Sequence, residues 1–217
     1  MAWLEFQTAS GGAILRRQLF TANGTWTKPD KIVGDQVFIT AIGGGGSGNS
    51  SSFELGGCSG AYITRLPVDV SGTSSETITV GAGGALVNGA GTDTAGNAGA
   101  PSSFGTLVSV DGAVAAGSSA LYVSILEGQN PGCFNGRFLS TIPGVFGAPI
   151  APNVGTSGRG LGGSGLLLDT SGIKGGDAGI GSPGGNGYGA GGGSRDQSND
   201  SGAGAPGAIL VEWLEKV

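Results

Sequence analysis

The chain has 217 residues and no histidine, which removes Ser-His-Asp and Cys-His catalysis and the usual zinc enzymes together. Three arrangements of the remaining residues could carry chemistry. Gly43-x-Gly45-x-x-Gly48 has the spacing of a dinucleotide-binding fingerprint and follows a strand-like run. That fingerprint needs a helix N-terminus to hold a pyrophosphate, and Asn49-Ser50-Ser51-Ser52 starts no amphipathic helix, so the stretch reads as glycine between strands. Asp196-x-Ser198-x-Asp200-x-Gly202 places oxygen ligands at alternate positions, as a calcium loop does. Its glycine comes one position late and the terminal glutamate is missing, which favours a solvated polar turn. The 15 Asp and Glu residues could include a glycosidase pair, but nothing in the sequence brings two of them together. The expectation is a protein that is not an enzyme and uses no metal or cofactor.

Binding is the chemistry left. Sugars stack on aromatic faces and hydrogen-bond to planar polar groups. The candidates for receptor contact are Phe134, Asn135, Arg137 and Phe138 in an irregular stretch, with Arg159, Tyr188, Arg195, Asp196, Asn199 and Asp200 on glycine-rich loops. Phe138 and Phe146 fit a core role as well, and 195–200 fits a solvated turn. Trp3, Leu4 and Phe6 could plug into a neighbouring protein or extend the core.

Composition narrows the partners. Only 12% of the chain is charged, its formal charge is −5, and its ten Lys and Arg form no stripe that could track phosphates. Nucleic acid and anionic membranes are therefore not expected partners. The two cysteines, Cys58 and Cys133, lie far apart and outside any metal motif; buried free thiols are the commoner state of such residues, with a disulfide as the alternative. The first residues lack the charged and apolar regions of a secretory signal, and no apolar run is long enough to span a bilayer. Synthesis in the cytoplasm is expected.

These residues must be held by an unusual scaffold, because 49 of the 217 residues are glycine. With 38% hydrophobic residues the chain is too apolar and too weakly charged for simple disorder. After a leader over 1–12, strand-like runs rich in Val, Ile, Thr and aromatic residues lie at 14–21, 25–27, 36–42, 61–70 and 77–80, bounded by Gly, Pro, Asn and Asp. Pro67 suggests an edge or a bulge in the fourth. Strand character resumes over 102–126, and 127–154 is an aromatic-rich, Pro-punctuated excursion. Glycine dominates 155–207 before a terminal strand, Ala208-Ile209-Leu210-Val211-Glu212-Trp213-Leu214.

Collagen fails as an account, since its every-third glycine is kept only briefly. A flexible linker would leave Leu166, Leu167, Leu168, Ile173, Ile180 and Tyr188 in water. Three-residue-per-turn, polyproline II-like segments lying side by side fit better. Their N–H and C=O groups point outward, and neighbours satisfy them only where side chains are absent. Ordering so many glycines costs about 1 to 2 kcal/mol each, so strands at both chain ends must clamp the bundle. The expected fold is all-β: a β-sandwich-like framework with packed polyglycine II segments and little or no α-helix, over 13–217.

Phe20-Thr21-Ala22-Asn23-Gly24-Thr25-Trp26-Thr27-Lys28-Pro29, the glycines at 43–48, Gly56-Gly57-Cys58-Ser59-Gly60-Ala61-Tyr62, Ile78-Thr79-Val80-Gly81-Ala82-Gly83-Gly84, Ser102-Ser103-Phe104-Gly105 and Pro206-Gly207-Ala208-Ile209-Leu210-Val211-Glu212-Trp213 form an ordered set. Over roughly 18–110 and 155–214 this set resembles the glycine-rich domain of bacteriophage tail fibres and adhesins. The resemblance implies a virion protein at a tail end or baseplate, attaching to a bacterial surface polysaccharide, pilus or outer-membrane protein, and contacting other tail proteins. It leaves monomer and homotrimer open, and it carries nothing onto 111–154. The alternative expectation is a purely structural tail or baseplate protein without receptor contact.

Overall fold

A computed structural model describes residues 6–7, 12–50, 56–89, 93–116, 184–185, 187–194 and 200–217. These form nine strands and no helix: β1 (Phe6–Gln7), β2 (Ala13–Phe20), β3 (Gly24–Thr27), β4 (Ile32–Ile42), β5 (Tyr62–Asp69), β6 (Ser75–Thr79), β7 (Ser102–Phe104), β8 (Val108–Val110) and β9 (Ala208–Lys216). A five-stranded antiparallel sheet runs β1-β2-β9-β4-β5, and a four-stranded antiparallel sheet runs β3-β6-β7-β8. The last strand thus lies in the middle of the larger sheet, between β2 and β4, as an apolar terminal strand must to be covered on both edges.

Period-2 alternation sets the core. Val37, Ile39 and Ala41 of β4 and Ile209, Val211 and Trp213 of β9 face the smaller sheet, which returns Trp26, Ile78, Phe104, Val108 and Val110. At the centre the Trp26 ring lies 5.4 Å from Phe104, tilted, and 6.2 Å from Trp213, edge-on. Asn23-Gly24 carries the chain from one sheet to the other, and the Asn23 side chain accepts the Val80 N–H at 2.8 Å. The run at 102–126 breaks at Gly105, whose φ of 53° turns β7 into β8. Residues 117–183, including the excursion at 127–154, lie outside the described residues.

One of the sequence readings changes, that of Cys58, and the leader gains a short strand. Phe6–Gln7 of the leader pairs with Ile14 and Leu15, so at these residues the leader's backbone extends the larger sheet. Cys58, expected as a buried thiol, is buried but disulfide-bonded; Cys133, the chain's other cysteine, lies outside the described residues.

Candidate functional site

Six glycine-rich segments continue directly from strands. Chain leaving β4, β6 and β8 enters 43–48, 81–84 and 111–116, while 57–60, 96–100 and 202–207 lead into β5, β7 and β9. All of them therefore project from one end of the sandwich. At about 3.1 Å per residue, 43–49 carries the chain about 20 Å away from the sheets.

The segment 43–48 is the axis of this array. Its six N–H groups donate in turn to three different neighbours: Gly43 to Ala61 (3.0 Å), Gly44 to Ala100 (2.9 Å), Gly45 to Ala205 (2.9 Å), then Gly46 to Cys58 (2.8 Å), Ser47 to Asn97 (2.9 Å) and Gly48 to Gly202 (3.1 Å). Each partner recurs three residues later and three residues earlier in its own segment. A three-residue turn with antiparallel neighbours produces this pattern. The carbonyls of Gly44, Gly45 and Gly46 accept from Ala113, Gly84 and Gly192, so six segments surround the axis. A methyl group built on Gly44, Gly45 or Gly48 would fall on the carbonyl oxygen of Ala82, Ala190 or Gly193. Close approach is thus what the glycines supply.

On the outer segment 81–89 the rule inverts. Ala82, Ala85 and Asn88 are exposed at three-residue spacing, while Gly81, Gly84 and Val87 face inward. Where the backbone pattern runs out, serine hydroxyls replace carbonyls: Ser47 accepts the Asn97 N–H at 2.7 Å, Ser102 the Gly81 N–H at 2.9 Å and Ser201 the Val87 N–H at 2.9 Å.

Residues 20–214 match the family model described as a glycine-rich domain. The chain belongs to that family. No curated protein matches it in sequence. In this glycine-rich domain the fingerprint-like Gly43-x-Gly45-x-x-Gly48 has no N–H left to cradle a phosphate, because the axis donates every one to a neighbouring carbonyl.

The glycine-rich domain separates the two described candidates for receptor contact. Asp200 is exposed at the far end of the array, where its carboxylate accepts the Gly89 N–H at 3.0 Å, close to the Ser50–Thr94 bridge. Tyr188 is half-buried at the turn beside the sandwich, where Gly189 donates to Pro206 and accepts from Gly60. Phe134, Asn135, Arg137, Phe138, Arg159, Arg195, Asp196 and Asn199 lie outside the described residues, as do Trp3 and Leu4. Ala116, the last described residue before the long gap, accepts the Gly96 N–H near the far end. The described residues hold no group of metal-ligating side chains.

A second polar cluster lies where the sequence suggested none, on the outer face of the larger sheet. Between Ile39 and Ala41 the β4–β5 register slips, and Arg65 occupies the bulge with a φ of 49°. Its N–H donates to the Thr40 hydroxyl at 3.0 Å. Its guanidinium lies 5.3 Å over the Phe38 ring and 3.5 Å from the Glu212 carboxylate. Alternation alone could not reveal this cluster, because the bulge, not the run of residue types, turns Arg65 onto that face.

Proposed function

We propose that this glycine-rich domain is a bacteriophage tail-fibre or tail-tip attachment domain that presents loops to a bacterial surface receptor. One observation carries the reading beyond family membership. The array projects about 20 Å from a well-packed sandwich, and at its far end Ser50 bridges Thr94, Gly89 meets the Asp200 carboxylate and Gly96 meets Ala116. The candidate receptor residue Asp200 is exposed there. Loops held on a rigid scaffold are the usual carriers of recognition.

A structural role, as a rigid tail or baseplate spacer, is the second reading. The complete burial of 43–50 and 189–194, which gives the array a solid interior, favours it.

The test is adsorption. The folded protein is expected to bind permissive host cells and to compete with the phage for them. Replacing 127–154 by the corresponding stretch of a related domain then separates the readings. A changed host range supports recognition, whereas unchanged host range with failed tail assembly supports the spacer.

A further inference from the structure

Cys58 is disulfide-bonded and 1% exposed, and the chain has one other cysteine, Cys133. The backbone of Cys58 lies inside the array. Gly46 on the axis donates to the Cys58 carbonyl at 2.8 Å, while Gly57 donates to Gly192 at 2.7 Å and Gly60 to Gly189 at 2.9 Å. A methyl group built on Gly57 or Gly60 would fall on the carbonyl of Gly46 or Gly43, so this segment turns positions 57 and 60 to the axis. At three residues per turn, position 58 points to another side. There the cysteine is nonetheless shut away from water.

Thiol–disulfide exchange needs a thiolate to reach one of the two sulfurs. A reductant has no path to the Cys58 sulfur while segment 57–60 is packed between the axis and 189–192. Attack on the partner sulfur would expel Cys58 as an anion into the buried interior, where an unpaired charge is costly. Either route therefore requires the array to open first.

We propose that Cys58 and Cys133 form a redox lock, a disulfide set by oxidation as the chain folds and then sealed by the glycine array against reduction. The bond joins the chain before β5 to the chain beyond β8, so the loop it closes holds β5 and three of the four strands of the smaller sheet. Closing so long a loop restricts the unfolded chain far more than the folded one. The oxidant is a small-molecule disulfide such as oxidised glutathione. One cysteine thiolate attacks it and releases a glutathione thiol, and the second cysteine displaces the other glutathione from the mixed disulfide. The two cysteine protons end on the two glutathione thiols, which carry the two electrons away. The lock does not depend on what the domain attaches to, so it stands or falls apart from the attachment reading.

The full chain is refolded from guanidinium with reduced and oxidised glutathione, alkylated, and mapped by mass spectrometry after proteolysis. A peptide linking Cys58 to Cys133 within a monomer is expected, with neither thiol open to alkylation in denaturant. Reduction by dithiothreitol is then followed with and without guanidinium. In native buffer it is expected to run about a hundredfold slower or more than in denaturant, and to speed up with guanidinium in step with unfolding. G45A, which crowds the axis, is expected to be reduced faster than the wild type. Free thiols at both cysteines after refolding, a bond from Cys58 to a second chain, or native reduction at the denatured rate each overturns the proposal.

Discussion

At the scale of the residue, the array makes an unusual demand, because a single methyl group decides whether two backbones can meet. Gly45→Ala would set its Cβ on the Ala190 carbonyl at the centre of six segments, where no flexible side chain can yield. Overpacking of this kind is expected to cost about 3 kcal/mol or more. Gly72, by contrast, lies in the turn between β5 and β6, where an added methyl would meet nothing within 4 Å and the φ is not left-handed. Gly72→Ala is expected to stay within about 1 kcal/mol of the wild type, since it mainly reduces the freedom of the unfolded chain. Chemical denaturation of the two variants checks both values. Comparable stability for both would mean that the glycines are not there for close approach. The need for glycine was legible in the composition, but which glycines are indispensable was not. That depends on which carbonyl of a distant segment lies opposite each position.

At the scale of the element, the strands were largely readable because each buries one face, and period-2 alternation records that. The runs at 14–21, 25–27, 36–42, 61–70 and 77–80 correspond to β2, β3, β4, β5 and β6, and the apolar terminal run to β9. Pro67 correctly marked an edge strand with a bulge, although the slip falls at Arg65. β1 escaped notice, since two residues are too few to show a period. The start of β4 at Ile32 was also hidden, because Gly34 and Asp35, both with left-handed φ, interrupt the alternation. The turn after β5 adds a titratable contact. The Ser71 backbone N–H donates to the Asp69 carboxylate and holds its carboxyl below the usual range, helped by the Ser71 side chain and by Lys28. A carboxyl lowered in the folded state stabilises above its unfolded value, and that stabilisation is lost as pH falls through the folded one. Asp69→Asn is therefore expected to melt lower than the wild type near neutral pH and to converge with it in acid. Thermal melts at pH 7 and pH 3 test this, and a gap that widened in acid would refute the assignment.

At the scale of the whole molecule, the sandwich and the array depend on each other through the chain. Every strand-to-glycine junction crosses the same end of the sandwich, and β9, reached through 202–207, fills the centre of the larger sheet. The sequence made this closure legible, since so apolar a final strand had to return to the sheet. The order of segments around the axis was not legible, because polyglycine carries no side-chain code for choosing neighbours. The choice is imposed by the strands from which the segments emerge. Amide protection should record that coupling. The N–H groups of Gly44, Gly45, Gly46 and Ser47 are buried and are bonded to three different segments, so no single segment can leave and free them all. In native-state hydrogen exchange they are expected to open only with global unfolding, at the same free energy as the amides of β4 and β9. Amides on the exposed positions of the outer segments, such as Ala85 and Asn88, should exchange far sooner. If the axis exchanged through local opening while β4 and β9 stayed protected, the sandwich would be the only cooperative unit and the array a dependent appendage, without the rigidity that the proposed attachment role requires.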